Sequence, residues 1–296
     1  MNLKRIFLGC SMLLMGALAF GQVNILNATT PEEMFDKTEE QVANDNDEPL
    51  PYGYVDSRDV LWSKNVWEVV DLDERVNFPL YYPLDTINIG QDRRSLYDVL
   101  VKGIRQGKID AIYSDSYFTQ KVTLDDLGAA MSKIDTTDLG IEQYNAGIPI
   151  DPQFITRRDI TAADIEQYWI RGMWYFDKRQ GELKYRMIAI APVAPDVNFI
   201  DDENVQMIPL FWVWFPGARE VLHEAKAFNN ANSSKPISYD HLLNSRRFNG
   251  MIYRVDNVQG DRQVKEYIAE NSMMQLLEAQ RLKEEIRNLE SDMWNY

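Results

Sequence analysis

The sequence predicts an α+β protein that forms one compact mixed body with an N-terminal tether and a long C-terminal helix. Three observations lead to this fold class. Runs of alternating apolar residues indicate strands. Apolar residues at helical spacing behind a Ser or Thr cap indicate helices. The two kinds of segment do not alternate regularly, as a doubly wound parallel sheet requires, so α+β is favoured over α/β.

The first 21 residues have the pattern of an export signal. Two basic residues, Lys4 and Arg5, precede an apolar run at residues 6–18, and small residues stand just before Gln22. The run is too short for a membrane-spanning helix, which needs about 20 apolar residues. We therefore expect a signal peptide over residues 1–21.

Cys10 is the only cysteine in the chain, and it lies inside the predicted signal peptide. We therefore expect a mature protein without a disulfide, a thiol nucleophile or a zinc–cysteine site. The alternative is a lipoprotein signal cleaved before Cys10, but its apolar core would then be residues 6–8 only, shorter than a signal needs. Stability must come from burial, and about 275 residues suffice for one or two sizeable cores.

The chain is strongly acidic, with a formal net charge of −15 that becomes −17 when Lys4 and Arg5 leave with the signal. Such a charge repels nucleic acid and anionic lipid surfaces. We expect no nucleic-acid partner, and membrane contact only through partner proteins. The acidity suits a basic partner or a cation-rich setting, or it serves solubility alone.

Residues 22–51 are rich in Asn, Asp, Glu and Thr, with few periodic apolar residues. This composition buries too little apolar surface to fold by itself, so we expect a flexible arm. A short helix is predicted at residues 31–41, where Thr30 would cap. The alternative is an extended arm that becomes ordered only on a neighbouring subunit.

The folded part is predicted to run from Tyr52 to the end, and its first half is placed at residues 52–150. Capping residues, apolar periodicity and turn residues define its elements. In chain order they are a turn or short helix leading to a strand at 59–70, an extended segment at 77–84, a helix at 95–104 capped by Ser95, a strand at 109–113 and a capped helix at 123–131.

Residues 138–152 read as a loop, which is where we place the boundary before a second half at 151–260. The same signals define the elements that follow. They are a helix at 161–168 capped by Thr161, a hairpin of residues 172–176 and 183–191, an apolar strand at 205–215, a helix at 219–227 and a segment at 238–243 that is similar to the one at 95–100.

Two patterns occur twice in the chain. Tryptophans five residues apart begin each half, and a serine followed by a Tyr-Asp pair begins a helical segment in each half. These repeats indicate related halves, although the lengths between the blocks differ. The residues are Trp62 and Trp67, Trp169 and Trp174, Tyr97 and Asp98, and Tyr239 and Asp240.

Residues 261–294 give the strongest helix prediction. Leu282, Ile286, Leu289 and Met293 are spaced four, three and four apart, as in a coiled-coil seam. Together with Trp294 they are the candidate interface residues. Two heptads are too short to form a dimerising coil alone, so docking on the same chain and docking on a neighbour both stay open.

Catalytic signatures are missing from the sequence: it has no Gly-x-Gly-x-x-Gly, no Walker loop and no Gly-x-Ser-x-Gly. His223 and His241 are the only histidines, too few for a multi-histidine metal site. Acids beside aromatics, such as Asp71 and Asp201, could serve a glycosidase, but clusters of this kind are expected by chance among 46 acids. We expect a non-enzymatic structural protein without a cofactor; a glycan-binding protein or a carboxylate-dependent glycosidase is the alternative.

Several blocks of the folded part carry a family resemblance. In order along the chain they are DVLWSK (59–64), PLYYP (79–83), SLYDVL (95–100), WYFDK (174–178), IAP (190–192), FWVWFP (211–216) and RLKEEI (281–286). This set resembles the GldN family of gliding motility proteins, called PorN in non-gliding species. The resemblance covers residues 52–296, and the segment before Tyr52 has no such blocks.

The resemblance implies a periplasmic component of the type IX protein secretion and gliding motility machinery of Bacteroidota. Members of this family join an outer-membrane lipoprotein, GldK or PorK, in a ring at the inner face of the outer membrane. They also contact the GldL–GldM motor complex of the inner membrane. The family has no established enzymatic activity, cofactor or catalytic residues, so none is implied for this chain.

Overall fold

The computed structural model describes residues 47–85, 93–147, 149, 151–197, 199, 206–229, 232, 236–269 and 271–294. The predicted signal peptide, the arm up to residue 46 with its helix at 31–41, and the acids at 201–203 lie outside the described residues. All elements below belong to one unit, Pro49–Tyr296. It contains both helices and antiparallel sheets, which confirms the α+β class.

Most strands of the described residues join one sheet. In chain order the strands are β1 (Val60–Asp71), β2 (Ile112–Tyr113), β3 (Lys121–Val122), β4 (Ser132–Thr136), β5 (Ile155–Asp159), β6 (Gln167–Asp177), β7 (Glu182–Pro195), β8 (Met207–Pro209), β9 (Trp212–Trp214), β10 (Lys226–Ala227), β11 (Ile237–Ser238) and β12 (Met251–Val255). The main sheet has the order β12-β1-β6-β7-β9-β2-β3, and β8 pairs with β7. Two small ribbons, β4–β5 and β10–β11, are separate from it.

The helices of the described residues vary widely in length. They are α1 (Phe78–Tyr81), α2 (Leu96–Arg105), α3 (Leu124–Met131), α4 (Asp138–Asn145), α5 (Phe215–Glu224), α6 (Tyr239–Asn244), α7 (Val264–Tyr267) and α8 (Ser272–Trp294). The predicted helix cap at Ser95 is confirmed, and Ser238 caps α6 in the same way. Ser95 accepts a hydrogen bond from the Asp98 amide and Ser238 from the His241 amide, each at 3.2 Å. The long C-terminal helix is confirmed too, although it begins at Ser272.

The hairpin of β6 and β7 is the centre of the sheet and confirms the predicted pairing, with longer strands. Its turn is held by Asp177, whose carboxylate accepts hydrogen bonds from the amides of Arg179 at 2.9 Å and Gln180 at 3.3 Å. Gly181 completes the turn with a φ of 66°, a backbone conformation that glycine adopts without strain. β1 pairs with the other side of β6 along its full length.

The five-residue spacing of the tryptophans places the two members of each pair on opposite faces of the sheet, because side chains alternate along a strand. β1 and β6 are antiparallel neighbours, so the two pairs meet. Trp62 and Trp174 both pack against the cluster beneath α8, on one face. Trp67 and Trp169 pack on the other face, in a cluster with Trp212. Both predicted halves therefore contribute to the same sheet; their duplication stays a prediction.

One face of the sheet carries both large apolar clusters. Toward one end of the strands, Val70, Ile170 and Ile190 pack against α2, α5 and α6 in the main core. Toward the other end, Val66, which shares a face with Val70 because it lies four residues before it, packs beneath α8. The opposite face holds the smaller cluster around Trp67, and residues 114–120 lie across it.

Three predictions in the first half need correction. Residues 78–81 form the one-turn helix α1 instead of an extended segment, because Pro79 stands in the first turn, where its fixed φ suits a helix. Residues 138–145 form α4 instead of a loop, with Asp138 in the first turn. The predicted strand at 109–113 is reduced to Ile112–Tyr113.

Two predictions in the second half are also wrong in extent. Thr161 does cap a turn with Asp164, but that turn is a short 3-10 helix. The chain enters β6 at Gln167, because pairing with β1 and β7 outweighs the local preference for a helix. The predicted strand at 205–215 is divided, since β8 ends at Pro209 and Phe215 already begins α5.

Candidate assembly surface on the C-terminal helix

The predicted seam of α8 docks on the chain's own sheet. Leu282 and Ile286 are each only 4% exposed. They pack with Val66, Ile252 and Val255 in one apolar cluster. These two predicted interface residues are therefore part of the folded core and are covered while α8 stays docked.

The remaining predicted interface residues lie in the last two turns of α8. Leu289 and Met293 are half-buried, and the side chain of Trp294 lies outside the described residues. This part of the helix borders a groove of about 380 Å³ whose apolar lining is formed by Trp174, Leu183 and Ile286. A role for Leu289 and Met293 in contacting a partner stays a prediction.

The first turns of α8 carry a second apolar face that the sequence reasoning missed. Met273, Met274, Leu276 and Leu277, here called the outer patch, are between 49% and 65% exposed. At 100° per residue, Met273 and Leu277 lie on the side of the helix opposite to Leu282. The signal was present as the sequence Met-Met-Gln-Leu-Leu, but a search for a single seam does not find a helix that is apolar on two sides.

Charged side chains tie α8 to the sheet and to itself. Lys64 of β1 donates a hydrogen bond to Glu285 at 2.8 Å. Because Lys64 donates to it, the pKa of the Glu285 carboxyl is lower than its ordinary value. Arg281 bridges two acids along the helix, Glu278 at 2.7 Å and Glu285 at 3.1 Å. These contacts hold the helix so that the outer patch faces away from the sheet.

A buried ion pair supports the sheet between its two apolar clusters. Glu68 of β1 is 2% exposed and accepts from Arg246. The guanidinium lies 4.1 Å from the centre of the Tyr185 ring and 5.2 Å from that of Trp174. Burial opposes the charge of Arg246, but Glu68 prevails and the pKa of Arg246 is raised. The pair joins β1 to the turn that follows α6 and acts as a structural support.

The opposite face of the sheet carries a cluster of aromatic rings and arginines. Arg171 and Arg254 lie over the ring of Trp67, at 5.1 Å and 4.6 Å from its centre. Burial lowers the pKa of Arg171. Tyr117 donates to Asp261 at 2.7 Å, and this hydrogen bond lowers the pKa of that carboxyl. Arg171 also donates a hydrogen bond to the carbonyl of Ser116 at 2.6 Å, so the cluster supports residues 114–120.

The acids considered for hydrolysis have local structural contacts. Asp71 accepts a hydrogen bond from the Asp73 amide at 3.0 Å, and Glu74 accepts one from Asn249 at 2.7 Å. Asp201 lies outside the described residues. Within the described ranges, no group of three or more His, Cys, Asp and Glu side chains is placed to hold a metal ion. None of the helices searched there is both long and apolar enough to cross a bilayer.

Comparison with protein-family models gives a match over most of the chain. A family model described as "Gliding motility associated protein GldN" matches residues 55–295, which is most of the chain. The matched segment begins close to Tyr52, the predicted start of the folded part. No curated protein matches the chain.

Proposed function

Because the chain belongs to the GldN family of gliding motility associated proteins, and is thus a component of the gliding motility machinery, we propose that it is a non-catalytic structural subunit of that machinery. The observation that carries the proposal is the outer patch of α8. One apolar face of α8 is already buried and docks the helix on the sheet, so the exposed apolar face is not required for the fold of this chain.

The physical properties of the outer patch suit contact with another protein. Large apolar side chains that are exposed side by side mark interaction surfaces more often than scattered ones do. Met273 and Met274 add flexible thioether side chains, which adapt to a partner surface. The helix that presents them is held by Leu282 and Ile286, so the patch is already in place before a partner binds.

We place this subunit in the periplasm, at the inner face of the outer membrane, as part of type IX protein secretion. The export pattern of residues 1–21 supports a periplasmic location. In this proposal an outer-membrane lipoprotein of the GldK or PorK kind anchors the chain, copies associate in a ring, and the GldL–GldM motor complex makes a further contact. Contacts between copies in a ring need two different surface patches on each copy, and in this proposal the outer patch contacts the lipoprotein.

The test is a double substitution, Leu276→Ser with Leu277→Ser, made in the native organism. The expected result is loss of co-purification of the chain with the lipoprotein and loss of gliding, with an unchanged midpoint of unfolding for the purified chain. Val258→Ser is the matched control, because Val258 is fully exposed in the turn that follows β12 and is not part of the outer patch. Normal assembly and gliding with both leucines replaced would overturn the proposed role of the outer patch.

A second candidate, glycan binding, is favoured by one observation. Trp214 is 44% exposed and lies edge-on to Phe118, with ring centres 5.1 Å apart. Exposed aromatic rings of this kind stack on sugars in many binding proteins. Sedimentation with purified peptidoglycan sacculi tests it: retention that is lost in Trp214→Ala supports glycan binding, and the absence of any retention excludes it.

A further inference from the structure

Residues 123–160 form an excursion from the main sheet between β3 and β6. It contains α3, β4, α4 and β5, and β4 and β5 pair with each other in their own ribbon. Its base is fixed to the main core through three buried residues, Leu127, Met131 and Ile160. The amide of Ile160 donates to the carbonyl of Met131 at 2.8 Å, which closes the base.

Beyond that base, the excursion exposes its apolar side chains. Leu139, Ile141 and Tyr144 of α4 are between 47% and 72% exposed, and Gly140 is the residue of that helix that is buried. Ile134 of β4 and Ile155 of β5 are exposed as well. These five residues are here called the ribbon patch.

Such a unit has little to stabilise it by itself. α4 has eight residues, and isolated helices shorter than about 12–15 residues are marginal in water. A two-stranded ribbon is also only marginally stable alone. A surface that covers the ribbon patch would supply the burial that these elements lack.

The charges around the ribbon patch indicate what kind of surface this is. Two of its three basic side chains are paired locally, Lys133 with Asp135 at 3.2 Å and Arg157 with Asp159 at 2.8 Å. Arg158 is the third basic residue, and it too has an interaction partner. Acids outnumber bases in the excursion, and five further acids are exposed there: Asp125, Asp126, Asp138, Glu142 and Asp151.

We propose that the ribbon patch docks a different protein, whose apolar contact residues are surrounded by lysines and arginines. A second copy of this chain is disfavoured, because it would bring another acidic rim against the first in a protein whose net charge is already −15. Opposed like charges in an interface are costly, whereas a basic rim gains both attraction and faster association. The ribbon patch is a second surface, and it shares no residue with the outer patch.

The first experiment uses single cysteines, which give a unique label because Cys10 lies in the predicted signal peptide. The variants are Leu139→Cys and Tyr144→Cys, with Val258→Cys as the control. In the purified chain we expect maleimide to label all three. In the assembly extracted gently from cells, we expect positions 139 and 144 to be protected and position 258 to remain labelled. Equal labelling of all three in the assembly would overturn the proposal.

The second experiment identifies what covers the patch. A photo-crosslinking amino acid at position 144, used in intact cells, should join the chain to one other protein, at a peptide rich in Lys and Arg. A product that consists of two copies of this chain contradicts the proposal. So does a crosslinked peptide without basic residues.

Charge reversal completes the test. Asp138→Lys with Glu142→Lys should lower the yield of the crosslinked product by about tenfold. The substitutions give the ribbon patch basic side chains, which repel the lysines and arginines of the partner. The matched control is Asp110→Lys with Glu220→Lys, which makes the same change at exposed acids outside the excursion. Equal yields of crosslinked product from the two pairs of substitutions would contradict a basic partner surface. The unfolding midpoint of each variant shows whether the fold is intact, and the outer-patch variants test the proposed function separately.

Discussion

Arg246 donates hydrogen bonds to both carboxylate oxygens of Glu68, each at 2.9 Å. It does so from a backbone φ of 51°, in the left-handed region that residues with a side chain rarely adopt. The pair lies on the face of the sheet that carries both apolar clusters, between Val66 and Val70 of β1. A buried carboxylate is tolerated only with a charged or hydrogen-bonding partner, so the strained backbone at Arg246 is held in place by what its side chain contacts.

Breaking this pair should be costly. Glu68→Ala and Arg246→Ala are each expected to lower the free energy of unfolding by about 3–5 kcal/mol, because each leaves a buried charge unpaired. The double variant should lose clearly less than the sum of the two, as coupled neighbours do. Urea unfolding of the four proteins measures the cycle. Strict additivity would show that the two side chains do not stabilise each other.

Gly172 is required by the ring of Tyr185. A Cβ atom at this position would overlap the hydroxyl and the ring of Tyr185, which lies across the strand. Gly172→Ala should therefore lower the free energy of unfolding by about 1–3 kcal/mol, as overpacking does. Gly128→Ala in α3 is the matched control, because a Cβ there meets open space. It should be neutral or stabilise by up to about 1 kcal/mol, and equal losses at both glycines would contradict the explanation.

The two apolar faces of α8 should respond differently to truncation. Ile286→Ala removes a buried side chain beneath the helix and should lower the free energy of unfolding by about 2–5 kcal/mol. Leu277→Ala on the outer patch should change it by less than about 0.5 kcal/mol, as expected for an exposed position. Thermal or urea unfolding of the purified chain gives both values. A large loss from Leu277→Ala would mean that the outer patch is covered within the chain.

The two serine caps should make similar contributions. Ser95→Ala and Ser238→Ala each remove the oxygen that accepts from an amide in the first turn of α2 or α6. Each is expected to lower the free energy of unfolding by about 1 kcal/mol. Ser63→Ala, at an exposed position of β1, serves as the control and should have little effect. If Ser95→Ala and Ser238→Ala lower the free energy of unfolding no more than Ser63→Ala does, the capping hydrogen bonds are not formed in solution.

The contact between Lys64 and Glu285 predicts a dependence on acid pH. The pKa of Glu285 is lower in the folded chain than its ordinary 4.5, because Lys64 donates to the carboxylate. The stabilisation is therefore present above the ordinary pKa and is lost as the pH falls through the lower folded-state value. Glu285 is exposed, so its contribution should stay below about 1 kcal/mol.

Glu285→Gln isolates this contribution. The difference in free energy of unfolding between the wild-type chain and this variant should be present near neutral pH and should vanish as the carboxyl becomes protonated. Unfolding curves at a series of pH values and constant ionic strength measure it. A difference that grows as the pH falls would contradict the sign derived from the lowered pKa.

Local signals in the sequence predicted those parts of the fold that depend on neighbouring residues. Ser95 and Ser238 cap their helices because the acceptor and the amide are three residues apart. The β6–β7 hairpin follows from alternation and from a turn that Asp177 and Gly181 can form alone. The incorrect predictions involve contacts between residues that are far apart in the chain. At residues 161–168 the sequence has a helical pattern, but the chain enters strand β6, which pairs with β1 more than ninety residues earlier.

The sequence by itself determined the α+β class, the capped helices, the long C-terminal helix and the family, because these depend on short-range patterns and on the order of motifs. Only the tertiary structure decided which face of α8 is buried in the core. Because Leu282 and Ile286 lie on that buried face, the candidate surface is the outer patch instead. It also decided that the two tryptophan pairs meet in one sheet. Burial depends on which distant segments come together, and a helix with two apolar sides looks the same in sequence whichever side is covered.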